Sequence, residues 1–207
     1  MTTIPRLATA LLACTVLATA SHAQTLQTGM EQLTIADDTR PLGGAVWYPT
    51  DDSTAPVRAL GNVVWEPILV VPNAPPAAGR HPLVLLSHGM FGNHRNQAWL
   101  AEGLVAQGYI VAAIDHPGTS TFERDPIQRK ALWERPRDIS RTIDHLLADD
   151  TLGPLIDPDR IFMAGHSMGG FTAVALACLQ LGLPHPQAFS TPLPAALALR
   201  SFSPSGS

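Results

Sequence analysis

Two continuous apolar runs, Leu83-Val84-Leu85-Leu86 and Tyr109 to Ile114 (YIVAAI), dominate the middle of the chain. A third strand-like stretch, Arg160 to Ala164 (RIFMA), follows. Continuous rather than alternating apolarity predicts strands buried on both faces. Between the runs the spacing changes to that of helices. Asn96 to Gln107 carries Trp99, Leu100, Leu104 and Val105 at helical intervals and stops at Gly108, a helix-ending residue. Arg137 to Ala148 puts Ile139, Ile143, Leu146 and Leu147 on one face, and Phe171 to Leu181 is helical again. Strands alternating with helices of this length predict a parallel sheet in an α/β fold.

The opening differs. Glu31 to Ile35 and Gly44 to Tyr48 have strand character, and Asp37-Asp38-Thr39-Arg40-Pro41 between them has turn chemistry, so an antiparallel start is expected. Residues 49–80 read as loop with one short strand at Ile68 to Val71. The polar stretch 119–130 reads as an excursion above the sheet, and Asp157-Pro158-Asp159 as a turn. From Gly182 onward the chain is mostly Pro, Ala, Ser and Leu, without periodicity.

Composition narrows the class. A chain of 207 residues fits one domain with a real core. Its net charge of -4 and the lack of a basic stripe argue against nucleic acid as a partner. Arg6, the apolar run Leu7 to Ala20 and Ser21-His22-Ala23 form an export signal with cleavage after Ala23, so a periplasmic or secreted location is expected. The run is too short to span a bilayer, and no stable membrane insertion is expected. Leu11-Leu12-Ala13-Cys14 resembles a lipoprotein box, but cleavage there would leave a very short apolar region. Cleavage after Ala23 leaves Cys178 alone and no internal disulfide. The expected organisation is a signal peptide at 1–23, a truncated α/β domain at 24–181 and an irregular, out-of-frame or prematurely ended tail at 182–207.

The chemistry centres on Gly165-His166-Ser167-Met168-Gly169. Gly-x-Ser-x-Gly alone is a modest signal, with about 0.07 occurrences expected by chance in this composition. Context adds the rest: the motif follows a buried strand and opens a helix, as a nucleophile elbow requires. Ser167 is therefore the expected nucleophile. Gly165 and Gly169 let strand and helix approach closely, and the helix aims its N–H groups at a developing oxyanion. His88-Gly89-Met90, after the first buried strand, is the matching oxyanion loop. The backbone N–H groups of Met90 and Met168 are the expected donors, and His88 is read as bracing the loop. Both motifs lie at strand C-terminal ends, where open α/β sheets bind ligands. Asp138 and Asp144 read as solvated or locally paired charges, and Cys178 as a buried apolar residue behind the elbow. No spacing indicates a metal, and no cofactor is expected.

Residues 83–177 resemble the bacterial predicted dienelactone hydrolases and their platelet-activating-factor acetylhydrolase-like relatives. The matching pieces are LLSHGMFGNHRN (85–96), AAIDHPGTS (112–120), RPRDISRTIDHLL (135–147) and IDPDRIFMAGHSMGG (156–170). The resemblance implies a carboxylic-ester hydrolase with a Ser–Asp–His triad, an acyl-enzyme mechanism and a small-molecule ester substrate. It also implies that Asp115 and His116 shape the site without joining the triad. Plain dienelactone hydrolases use cysteine, and Ser167 favours the esterase branch.

The triad does not close. In this fold the acid and the histidine follow the serine in the chain. After Ser167 there is no Asp or Glu, and the only histidine is His185, just past the next helix. A 48-residue run without an acidic residue, from Arg160 to the end, has a chance of about 2% at this composition. The expectation is the N-terminal part of a longer hydrolase, with the C-terminal strands missing, an out-of-frame or prematurely ended tail and no activity of its own. The alternatives are an exported, non-catalytic ligand-binding protein on the same fold, and an acyltransferase using the same serine. Oligomeric state is open.

Overall fold

The computed structural model describes residues 26–180. The expected signal peptide with Cys14, His185 and the tail from Gly182 lie outside the described residues. Strands β1 (Gln27–Ile35) and β2 (Leu42–Thr50) pair antiparallel along their whole length, from Gln27 opposite Thr50 to Ile35 opposite Leu42. The turn chemistry read between them is present: Asp37 Oδ1 accepts from the backbone N–H groups of Thr39 and Arg40, both at 2.8 Å. Two short strands follow, β3 (Val57–Ala59) and β4 (Ile68–Pro72), where the sequence predicted one. Then come β5 (His81–Ser87), α1 (Ala98–Val105), β6 (Ile110–Asp115), α2 (Pro126–Lys130), α3 (Glu134–Leu147), β7 (Ile156–Gly165) and α4 (Met168–Gln180).

The sheet order is β3-β4-β1-β2-β6-β5-β7, with β6, β5 and β7 parallel. This is the mostly parallel α/β sheet with an antiparallel opening that the pattern predicts, and it fits the α/β-hydrolase fold expected from the elbow motif. Within β5, Leu83 and Leu85 pack with Ile139, Ile143 and Leu146 of α3 and Leu176 of α4. Val84 and Leu86 pack on the opposite face with Ala98, Ala101 and Val105 of α1. Both faces of the strand are thus covered, and this is why its sequence shows no alternation.

Two local readings are corrected. Asp157 to Asp159 lie inside β7, where the pairing with β5 shifts register between His81 and Leu83. The turn signal there is a local bond, Asp159 N–H to Asp157 Oδ1 at 3.2 Å. Helix α3 begins a turn earlier than the apolar face suggested. Pro136 is its third residue, a position whose N–H has no intrahelical acceptor in any case.

Asp138 is the larger correction. It is fully buried rather than solvated. Arg40, between β1 and β2, donates Nε to its Oδ1 and Nη2 to its Oδ2, both at 2.7 Å. His116, just after β6, lies with Nδ1 2.8 Å from Oδ2. Burial pushes the Asp138 carboxyl up, but the hydrogen bonds from His116 and Arg40 outweigh it and hold the group below the usual carboxylate range. An ionised carboxylate only accepts, so His116 carries its proton on Nδ1. Burial pushes His116 down to about 4, which keeps its ring neutral near pH 7.

Two outcomes follow from this tie. Replacing Asp138 by Asn leaves the largely covered Arg40 side chain without its counter-charge and should cost up to about 3 kcal/mol, read as a fall in the urea midpoint. Wild-type stability should decline as pH falls from about 6.5 toward 4, because the unfolded histidine binds a proton there and folded His116 does not. Asp138, whose folded pKa is depressed, contributes fully above its unfolded value and adds to the loss only at lower pH. A melting temperature unchanged between pH 7 and pH 4 would contradict this assignment of the buried ring.

Candidate active site

Strand β7 ends at Gly165 and α4 starts at Met168, so the chain must reverse within two residues. Ser167 takes up the reversal with φ of 55°, a left-handed conformation uncommon for a residue with a side chain. Close packing enforces the turn. A Cβ on Gly169 would lie 1.8 Å from the carbonyl oxygen of Ser87, and one on Gly165 would lie 2.3 Å from the carbonyl carbon of Gly169. The backbone N–H of His166 donates to Ser87 O at 3.2 Å, which fixes the elbow to the end of β5. Ser167 and His166 are exposed at the crest of the turn. The α4 N-terminus opens directly behind the serine, and the N–H of Met168 is among the first-turn donors that a helix leaves unpaired.

The loop after β5 faces this elbow. The position of a Cβ on Gly89 is 3.3 Å from Cβ of Ser167, so only glycine allows this approach without displacement. The N–H of Phe91 is spent on Thr119 O at 2.7 Å, and Phe91 itself has φ of 60°. The intervening Met90 N–H forms no backbone hydrogen bond among the described residues. His88 locks the start of the loop. Its Nε2 accepts from the N–H of His116 at 3.0 Å, so Nδ1 holds the proton and donates to Gly89 O at 2.6 Å. Burial, with His116 close by, pushes His88 down to about 3. Both of its nitrogens are committed, and it supplies no base to Ser167.

Arg135 is the site residue that sequence reasoning missed. Only 1% exposed, its guanidinium donates Nε to Thr172 of α4 at 3.1 Å and Nη1 to Thr119 at 2.6 Å. Its Nη2 reaches Ser87 Oγ at 3.0 Å and, more closely, the carbonyl oxygen of His88. One side chain therefore joins α4, the loop after β6 and the loop that faces Ser167. Ser87 Oγ, accepting from Arg135, donates to His116 Nε2 at 2.8 Å. Ser87, His116 and Asp138 thus have the connectivity of a catalytic triad without its access, since all three are fully buried. The array is a brace. Its signal was present in the sequence: Arg135 and Asp138 fall on the helical stripe of Ile139, Thr142, Ile143 and Leu146, where a charge must be compensated.

Beside Ser167 lies a cleft of about 460 Å³. Trp65, Met90, Phe91, Trp99 and Leu100 form its apolar wall, and among the described residues no Asp, Glu, Lys or Arg lines it. The neutral His88 ring adds no charge. Cys178, on α4, is a free, half-buried thiol away from this cleft.

Comparison with known proteins agrees with the geometry. The family model for serine aminopeptidase, S33, matches residues 79–192. Lipase 1 of Moraxella sp. (strain TA144) is 30% identical over 135 residues, covering 65% of this chain and 32% of the lipase. Cutinase est1 of Thermobifida alba is 26% identical over 137 residues, covering 65% of this chain and 34% of the cutinase. The solved ferulic acid esterase from Streptomyces cinnamoneus superposes with a TM-score of 0.62 at 25% identity, over 80% of this chain and 59% of that one. The chain spans about a third of the length of the curated relatives it matches. With the elbow, the facing loop and the sheet order in place, the chain belongs to the serine aminopeptidase S33 family of α/β-hydrolases.

Proposed function

We propose that this chain carries the nucleophile of a carboxylic-ester hydrolase that works through an acyl-enzyme on Ser167. The observation that carries the reading is the strained, exposed Ser167 with Gly89 against it at the mouth of an apolar cleft. In the reaction, Ser167 Oγ attacks the ester carbonyl carbon and its proton passes to a base. The carbonyl oxygen becomes an oxyanion between the N–H groups of Met90 and Met168. Collapse expels the alcohol, and water then releases the acid. The uncharged aromatic wall suits an ester with a neutral apolar group, and the likeness to a lipase, cutinases and a ferulic acid esterase supports an ester rather than a peptide as substrate. The matching motif pieces further favour the dienelactone hydrolase-like, serine-using branch. Among the described residues no side chain hydrogen-bonds Ser167, and the sequence offers no acidic residue after it. The described residues accordingly supply no general base to Ser167.

The test supplies the base from solution. Incubated with p-nitrophenyl acetate and free imidazole, the protein should acquire an acetyl group on the peptide containing Ser167, and Ser167→Ala should abolish that adduct. Without imidazole the acylation rate should fall by a factor on the order of 10³. An adduct spread over other serines would sink the nucleophile assignment. Rapid turnover without imidazole that is lost in Ser167→Ala would instead show that a base is already in place.

A further inference from the structure

Next to residues of the cleft wall lie side chains that ester hydrolysis leaves without a task. Beside Trp65, Asn62 builds a tight turn. Its Oδ1 accepts from the N–H groups of Val64 at 2.8 Å and Trp65 at 3.0 Å, and its own N–H donates to Trp65 O at 2.9 Å. The turn places Trp65 in the cleft wall and leaves Val63 and Val64 104% and 75% exposed. Glycine, asparagine, aspartate and serine dominate such turns. Two valines held at a rigid tip are an apolar projection that the fold itself does not use, and exposed apolar patches mark contact surfaces.

The surface next to Phe91, another residue of the cleft wall, is cationic as well as apolar. Phe91, part of the cleft wall, lies under two guanidinium groups, with Arg124 4.9 Å and Arg129 5.9 Å from its ring centroid. Arg95 sits 5.4 Å from the centroid of Phe122. None of these three arginines forms an ion pair among the described residues. Phe122 and Ile127 beside them are 58% and 80% exposed. The segments that form the rim, 58–66, 91–99 and 122–130, hold Arg58, Arg95, Arg124, Arg129 and Lys130 against Glu66, Glu123 and Asp125. Of those acids Glu66 is paired with Arg58, and Asp125 caps α2 through Ile127 N–H and Gln128 N–H. The rim is positive on a chain of net charge -4.

We propose that this rim docks the protein, cleft mouth first, on an anionic phospholipid leaflet. Val63 and Val64 enter the boundary between headgroups and acyl chains, while Arg95, Arg124 and Arg129 meet headgroup phosphates. Cations interleaved with isolated apolar tips fit a lipid surface better than a protein partner, whose contact core would be depleted of charge. The contact proposed is peripheral, made by side chains of the rim; no helix among the described residues is long and apolar enough to cross a membrane. Docking would present an ester in the leaflet to the cleft. It goes beyond the hydrolytic reading, requiring only that the cleft open on this face.

The test is co-sedimentation of the full chain with vesicles of phosphatidylglycerol and phosphatidylcholine, against vesicles of phosphatidylcholine alone. The protein should partition to the anionic vesicles about tenfold more strongly, and raising salt from about 0.1 M to about 1 M should reverse much of this. Val63→Asp with Val64→Asp, and separately Arg124→Glu with Arg129→Glu, should each lower the bound fraction about tenfold, with thermal melts matching the parent. Ser167→Ala should bind as the parent does, which separates this outcome from the fate of the nucleophile assignment. Equal binding to both vesicle types, no binding to either, or parent-like binding by both double variants with unchanged melts would overturn the proposal.

Discussion

A carboxylate with no exposure to water must be compensated from every side, and Asp138 is such a group. Arg40 covers both of its oxygens and His116 covers one of them again. Because the acid is ionised, His116 has no choice of tautomer: Nδ1 donates, Nε2 accepts, and Ser87 Oγ must supply the proton that Nε2 accepts. Ser87 can do so while its remaining acceptor capacity takes Arg135. One buried charge thus dictates the proton positions of both His116 and Ser87. A partly satisfied chain of this kind would be worse than an apolar core; here every link has its donor and its acceptor.

That chain matters to Ser167 through backbone rather than through side chains. Arg135 donates from one nitrogen, Nη2, both to Ser87 Oγ of the array and to the His88 carbonyl. The same guanidinium holds Thr172, one turn into α4. The loop and the helix that face Ser167 from opposite sides therefore share a single anchor. The spacing between their N–H groups is set by buried polar contacts, while the strain at Ser167 is absorbed by the turn. A hydrophobic contact, being non-directional, would not fix that spacing as well.

The sequence revealed what is local and hid what is distant. Gly165 to Gly169 could be read because an elbow is a contiguous device, and Leu83 to Leu86 because burial on both faces leaves an unbroken apolar run. Asp138 could not be placed by contiguity, since its partners lie 98 and 22 residues away. Its helical phase was informative, but reading α3 from Arg137 left Arg135 off the helix and hid the stripe they share. The short strand β3 was missed for a different reason. Its three residues are exposed or half-buried, so hydropathy carries no trace of the pairing with β4. The turn at Asn62 reads only as generic loop, because the placement of Trp65 over the cleft depends on α1 from far along the chain.

The commitments of the nearby histidines narrow where chemistry can be completed. His88 and His116 have both ring nitrogens bonded within the brace. His94 gives Nδ1 to Asp115 at 2.8 Å, and its other nitrogen is buried away from water. His166, next to the nucleophile, turns Nδ1 toward Gly89 and makes no hydrogen bond to Ser167. The β5 side of Ser167 is thus occupied by the facing loop and by rings already in use, and the α1 side by the apolar cleft. What remains is the side of β7 away from β5, where no strand pairs with it among the described residues. On the proposed reading of Ser167 as nucleophile, a base would approach from there, leaving the cleft to the substrate and separating the proton's path from the apolar group's.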